Sequence, residues 1–160
     1  MRSVSAVLWG ILLALGVGAL VVFGIVWPVF EFFFGAQIAP ASSLPALIVV
    51  FASAFAFYWG GMIAAYKAPS RRRLHGVMVG VASFAISPII NLASSVLGSG
   101  GDPFANLRTP AALLFTGVLF VVVLAASYVG ARRGETLFIE NMRYIRARKR
   151  ARESSGEASK

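Results

Sequence analysis

The stretch Gly60-Gly61-Met62-Ile63-Ala64-Ala65-Tyr66-Lys67-Ala68-Pro69-Ser70-Arg71-Arg72-Arg73-Leu74-His75-Gly76 decides the architecture of the chain. An apolar run ends at Tyr66, cations crowd the segment from Lys67 to Arg73, and a second apolar run starts at Leu74. Pro69 cannot continue a helix, because it has no N–H and its ring clashes with the preceding turn. The upstream run reaches back to Leu44 and the downstream run forward to Leu97. Each exceeds the roughly 20 residues a helix needs to cross a hydrocarbon core. So short a connection makes the two helices antiparallel neighbours.

The same reading extends to both ends of the chain. An apolar run from Val4 to Phe34 carries Pro28 and Glu31 near its end. It is far longer than the roughly 7–15 residues of a signal-peptide core, so it reads as an uncleaved helix ending near Trp27-Pro28 or slightly later. Ser43 can cap the second helix, with Pro45 in its first turn. The fourth run, Pro110 to Ala131, has Thr109 as cap and proline at its first position. None of these runs alternates polar and apolar residues as a barrel strand would. Helices also satisfy their own backbone groups, which lipid requires. The expected fold is all-α: four transmembrane helices over about 4–30, 44–66, 74–97 and 110–131, arranged as two antiparallel hairpins. Residues 1–133 form this domain, and 134–160 form a cytoplasmic basic tail.

Composition agrees. Of 160 residues, 58% are hydrophobic and only 13% charged, against roughly a quarter charged in soluble domains. The formal charge of +9 would suggest nucleic acid in a soluble protein. Here the cations sit between apolar runs, so topology accounts for them and nucleic acid is not the expected partner. The chain has no cysteine and one histidine, His75. Disulfides, thiolate chemistry and a multi-histidine metal site within one chain are therefore excluded, and no cofactor is expected.

Orientation follows from the cations. Arg2, the middle connection and the segment after Ala131 hold every Lys and Arg except Arg108. Lys and Arg resist translocation, so these segments and both termini are expected in the cytoplasm of a bacterial plasma membrane. Trp9-Gly10 and His75-Gly76 open helices of like direction, and Tyr58-Trp59-Gly60 matches Tyr128-Val129-Gly130. The two halves thus read as a parallel repeat. Ala52, Ala56, Gly60 and Ala64, then Gly76 and Gly80, then Ala126 and Gly130, place small residues four apart. Such faces let backbones approach closely, within the chain or in another copy.

Few residues could carry chemistry. Glu31 is the one acid within an apolar run, and it falls at the outer interface of a helix that has already crossed by Trp27. Ser83, Ser87, Asn91 and Ser95 form a polar stripe beside Pro88. Glu31, Ser87 and Asn91 share a depth and are the candidate polar contact within the membrane; otherwise Asn91 ties two helices together and the serines bond their own backbone. His75 lies at the membrane edge with no acid near it in sequence, and reads as an interfacial imidazole.

After Arg133, Leu137, Phe138, Met142 and Ile145 follow helical spacing beside a dense set of cations. That pattern predicts an interfacial amphipathic helix leading into a polybasic stretch, unstructured from Glu153 onwards. Arg71, Arg72, Arg73, Arg143, Arg146, Arg148, Lys149 and Arg150 are the candidate contacts to anionic lipid headgroups.

No catalytic set is present: no paired carboxylates, HExxH or phosphate-binding loop. Ser87 and His75 stand about 18 Å apart along one helix and form no dyad. The expectation is a non-enzymatic envelope, assembly or lipid-interacting protein, partnered by anionic lipids, by further copies or by other membrane proteins. The alternative is a small oligomeric transporter or channel subunit using Glu31 and Asn91. Small multidrug exporters share the four-helix outline, but their glutamate sits mid-helix and their charge bias is slight.

The segment Gly60-Gly61-Met62-Ile63-Ala64-Ala65, a basic turn, and Leu74-His75-Gly76-Val77-Met78-Val79-Gly80 resembles the central region of a bacterial group of small four-helix membrane proteins, the YrzE-like group. The resemblance covers about a fifth of the chain. It implies a bacterial plasma membrane and assigns no site residue.

Overall fold

The computed structural model describes residues 2–26, 28, 32, 43–96 and 109–157, with side chains except at 2, 22, 43–46, 87, 88, 90, 91, 93–96 and 153–157. Among the described residues there are four α-helices and no strand. Helix α1 is Arg2–Val21, continued by a π-helical turn at Val22–Val26. Helix α2 is Ser43–Lys67, α3 is Arg72–Val96, and α4 is Pro110–Glu157. Among the described residues, three stretches are long and apolar enough to cross a membrane: Ser3–Val26, Leu47–Lys67 and Pro110–Arg152.

The helix ends follow local chemistry. The backbone N–H of Ala112 donates to Thr109 Oγ1 at 3.3 Å, which is the cap expected from Thr109-Pro110. At the end of α2, Ala68 N–H still reaches Ala64 O at 3.0 Å, and Pro69 then stops the helix. Arg71 takes up a left-handed conformation with φ 43° and turns the chain into α3. In α1, β-branched residues near Gly18 and Gly24 lead from α-helix to the wider π turn at Val22–Val26, and most of the expected span from 27 to 30 lies outside the described residues.

The fourth helix departs most from expectation. It does not stop near Ala131 but runs unbroken for 48 residues to Glu157, roughly 72 Å. Polarity marks where an apolar span ends, not where a helix ends. Arg, Lys, Glu and Ala are all good helix formers, and nothing between Arg132 and Arg152 removes a backbone donor. The unstructured end expected from Glu153 is likewise helical as far as Glu157.

The packing is inverted relative to a water-soluble bundle. Ala6, Ala14, Ala52, Ala56, Ala64, Ala65 and Ala131 are buried, and Val79 and Val123 are the largest apolar side chains fully enclosed. The bulky residues point outward: Leu12 is 60% exposed, Phe51 72% and Leu114 72%. Glycines set how close the helices come. A Cβ built on Gly60 would lie 2.6 Å from Gly10 O and 2.8 Å from Ala14 Cβ. One built on Gly10 would lie 2.7 Å from Gly60 O. Gly61 presses on the backbone of Ser127, Gly130 on Tyr58 O, and Gly134 on Met62 O. The small-residue faces therefore meet one another within the chain. Gly10 and Gly76, matched in the two halves of the sequence, each abut a neighbouring helix.

The contacts also give registers. Gly10 lies by Gly60 and Ala64, and Gly18 by Ala56, so α1 and α2 run in opposite directions. Gly76 faces Ala131, Gly80 faces Ser127 and Phe84 faces Phe120, so α3 and α4 do the same.

Candidate functional site

A set of polar and cation–π contacts between helices gathers at one end of the bundle, around the turn between α2 and α3. Arg72 is its hub. Its Nη1 donates to Ala65 O at 3.2 Å and to Tyr66 O at 2.9 Å, satisfying carbonyls that the end of α2 leaves without an intrahelical donor. Its guanidinium lies 3.3 Å from the centre of the Phe138 ring, a cation–π contact to α4. Phe138 in turn meets Tyr66 edge-on, with centroids 6.0 Å apart. Asn141 Nδ2 donates to the Tyr66 hydroxyl at 2.8 Å.

Three further contacts ring this centre. Arg73 Nε donates to Glu135 Oε2 at 2.5 Å. That hydrogen bond, and then the carboxylate charge, push the Arg73 guanidinium pKa further up. Its side chain is 55% exposed, so the pair positions α3 on α4 more than it stabilises the fold. Lys67 Nζ sits 4.2 Å above the Trp9 ring and ties the end of α2 to α1. His75 joins α3 to α1. Arg71 O can only accept, so His75 Nδ1 donates to it, at 3.1 Å, while Nε2 meets the Ser3 hydroxyl.

These contacts sort the expected lipid-binding cations. Arg72 is committed to carbonyls and an aromatic ring, and Arg73 to a carboxylate. Arg71 is exposed beside them, and every residue from Arg143 to Arg152 is exposed on α4. Arg143, Arg146, Arg148, Lys149 and Arg150 lie along that projecting part. The intramembrane contact of Glu31 with Ser87 and Asn91 lies outside the described residues. Glu31 is not described, and for Ser87 and Asn91 only the helical backbone is.

Two features have no counterpart in the sequence reading. Ser127 is fully buried between Gly61 and Gly80, and its Oγ has no hydrogen-bond partner; the buried Ser83 Oγ also has none. A small polar residue in an apolar run gives no sign of which way it faces, so only its spacing from Val123 and Ala131 hinted at burial. The second is an open apolar groove of about 320 Å³ between α1 and α2, lined by Ala14, Gly18, Phe23, Ala52, Ala56 and Phe57. It offers shape but no reactive group.

No family model matches the chain, and neither a curated protein nor a solved structure does.

Proposed function

We propose that the chain is a multi-pass protein of a bacterial plasma membrane, with four helices crossing as two antiparallel hairpins and both termini in the cytoplasm. Its role is non-enzymatic: it assembles with lipids or membrane proteins rather than transforming a substrate. One observation carries this reading, the inversion of the bundle. Leucine and phenylalanine cover the outside while alanine and glycine fill the inside. In water so large an apolar surface would drive association. In lipid, where tails are as apolar as leucine, close backbone packing is what holds helices together.

The opposed registers of α1 with α2 and of α3 with α4 support the hairpins. They bring the ends of α1, α2, α3 and the middle of α4 to one level, where Lys67, Arg71, Arg72, Arg73, Arg132 and Arg133 collect. A basic rim of this kind belongs on the cytoplasmic side. Trp9 and Tyr66 lie at the same level, as interfacial aromatics do. The likeness of residues 60–80 to the YrzE-like group points to the same membrane.

Within that frame, Arg71, Arg143 and Arg146 are the cations placed to hold anionic headgroups, each contributing about 1 kcal/mol near the surface. Native mass spectrometry from mild detergent tests this. The expected species retains anionic lipid, and Arg71→Gln with Arg143→Gln and Arg146→Gln releases it. Equal lipid retention by the variant would refute the assignment.

A further inference from the structure

The fold gives His75 a nucleophile as its neighbour. Ser3 lies in the first turn of α1, and its hydroxyl contacts His75 Nε2 across 72 residues of sequence. On the other side of the ring, Nδ1–H donates to Arg71 O at 3.1 Å, and the same carbonyl accepts the His75 backbone N–H at 3.3 Å. A carbonyl oxygen can only accept. In the neutral imidazole the proton therefore stays on Nδ1, and the lone pair of Nε2 faces the Ser3 hydroxyl. Nucleophile, base and a fixed acceptor behind the base stand in the order that activates a serine.

The surroundings suit acyl transfer. Ser3 and His75 are both half-buried, so a reactant can reach them. The N–H groups in the first turn of α1 have no acceptor within the helix. Helical side chains lean towards the N-terminus, which brings Ser3 Oγ over those donors, where they favour a developing oxyanion. Helices α1 and α3 run in the same direction, with Ser3 beside His75 and Gly10 beside Val79. At about 100° per residue, Val4 and Leu8 then flank the seam on the same side as Leu74 and Met78. All four are exposed, and they form an apolar course leading away from the pair along both helices. In a chain that spans a membrane, that course runs from the cytoplasmic edge into the hydrocarbon.

We propose that Ser3 is a site of covalent acylation, which takes a long-chain acyl group from a thioester donor with His75 as general base. The Ser3 hydroxyl attacks the thioester carbonyl and gives its proton to His75 Nε2. The new C–O bond forms, the C–S bond breaks, and the departing thiolate takes the proton from Nε2. The products are a serine ester and a free thiol, and the imidazole returns to its neutral form. The acylated chain is itself the product, so the step is a modification and not a turnover. The choice of a long chain rests on the membrane reading above; the reactivity of the pair does not. The attached chain follows Val4, Leu8, Leu74 and Met78 into lipid, where each methylene adds to anchoring.

The test uses the full chain in mild detergent micelles with palmitoyl-coenzyme A, read by intact mass and peptide mapping. One palmitoyl group is expected on Ser3. Alkaline hydroxylamine should remove it, as it removes an ester and leaves an amide on a lysine or amino group. Ser3→Ala abolishes it, and Ser5→Ala, at an exposed position, leaves it unchanged. His75→Ala lowers the rate by about 100-fold or more, as loss of a general base does. Free imidazole restores part of that rate in His75→Ala and none in Ser3→Ala, which a merely structural histidine would not allow. Acetyl-coenzyme A reacts about tenfold more slowly or less, because its chain gains nothing from the apolar course.

Each of four results would overturn the proposal. They are no ester at Ser3, acylation indifferent to His75→Ala, no rescue by imidazole, and acetyl transfer as fast as palmitoyl transfer. A fluorophosphonate probe, which needs an activated serine but no acyl chain, should label Ser3 in the parent and not in His75→Ala. Circular dichroism of His75→Ala, with the helicity of the parent expected, separates lost reactivity from lost structure. Micelles have no sides, so the assay reads the pair whichever way the chain faces in a membrane, and reactivity and topology fail separately.

Discussion

Replacing Gly60 with alanine should loosen the contact between α1 and α2 by a calculable amount. The new Cβ would lie 2.6 Å from Gly10 O and 2.8 Å from Ala14 Cβ. Real Cβ atoms do not approach closer than 3.0 Å, so Gly10 O must retreat by at least 0.4 Å. It is a backbone atom within α1 and cannot rotate aside. The whole segment must move, and Val79, 3.4 Å from the same point, limits the escape on the other side. Overpacking of this kind costs about 1–3 kcal/mol. Alanine returns up to about 1 kcal/mol through helix propensity. The net expectation is a loss of about 1–2 kcal/mol. Unfolding in mixed micelles with rising SDS, followed by tryptophan fluorescence, measures it. Gly117→Ala is the control, since its Cβ would meet nothing within 4 Å; it should be neutral or slightly stabilising. Gly10→Ala combined with Gly60→Ala should cost less than the sum, because the first shift makes room for the second. A Gly60→Ala protein as stable as its parent, or a Gly117→Ala protein equally weakened, would refute the packing argument.

Other substitutions probe the remaining links. Ser127→Ala removes a buried hydroxyl without a partner and should raise stability by about 1 kcal/mol, read in the same unfolding assay; a loss would show that the hydroxyl is bonded. Arg72→Lys keeps the charge but not the planar fork across two carbonyls and Phe138, and should lower stability by about 1–3 kcal/mol. Arg71→Gly relieves the left-handed backbone at φ 43° and should raise the melting temperature, corresponding to about 1 kcal/mol. Thr109→Ala removes the cap of α4 and should speed amide exchange in its first turn, with a cost of about 1 kcal/mol.

The helix limits were legible wherever local chemistry sets them. Residues 44–66 and 74–97 were expected helical, and Ser43–Lys67 and Arg72–Val96 are. An apolar run, a proline and a cap act within a few residues, so they can be read in order along the chain. The continuation of α4 past Ala131 was not legible in that way. The change from valine and leucine to arginine is a change of solvent, and the backbone does not respond to it. The bonds of Arg72 were hidden for a different reason. Three successive arginines are equivalent in sequence, and only the turn at Pro69 and Arg71 aims one at α2 and the next at Glu135. Gly60 and Gly76 were recognised as packing residues because small neighbours repeat four apart. Gly134 was missed because it stands in a charged segment where no packing was expected.

The central claim is four crossings with both termini in the cytoplasm, and the absence of cysteine makes it directly measurable. Single cysteines at Ser70, Ala105 and Ser155 can be labelled in intact bacterial cells with a membrane-impermeant maleimide, before and after permeabilisation. The account predicts labelling at 105 in intact cells and at 70 and 155 only after permeabilisation. Labelling of 70 or 155 from outside, or protection of 105 until the cells are opened, would contradict it.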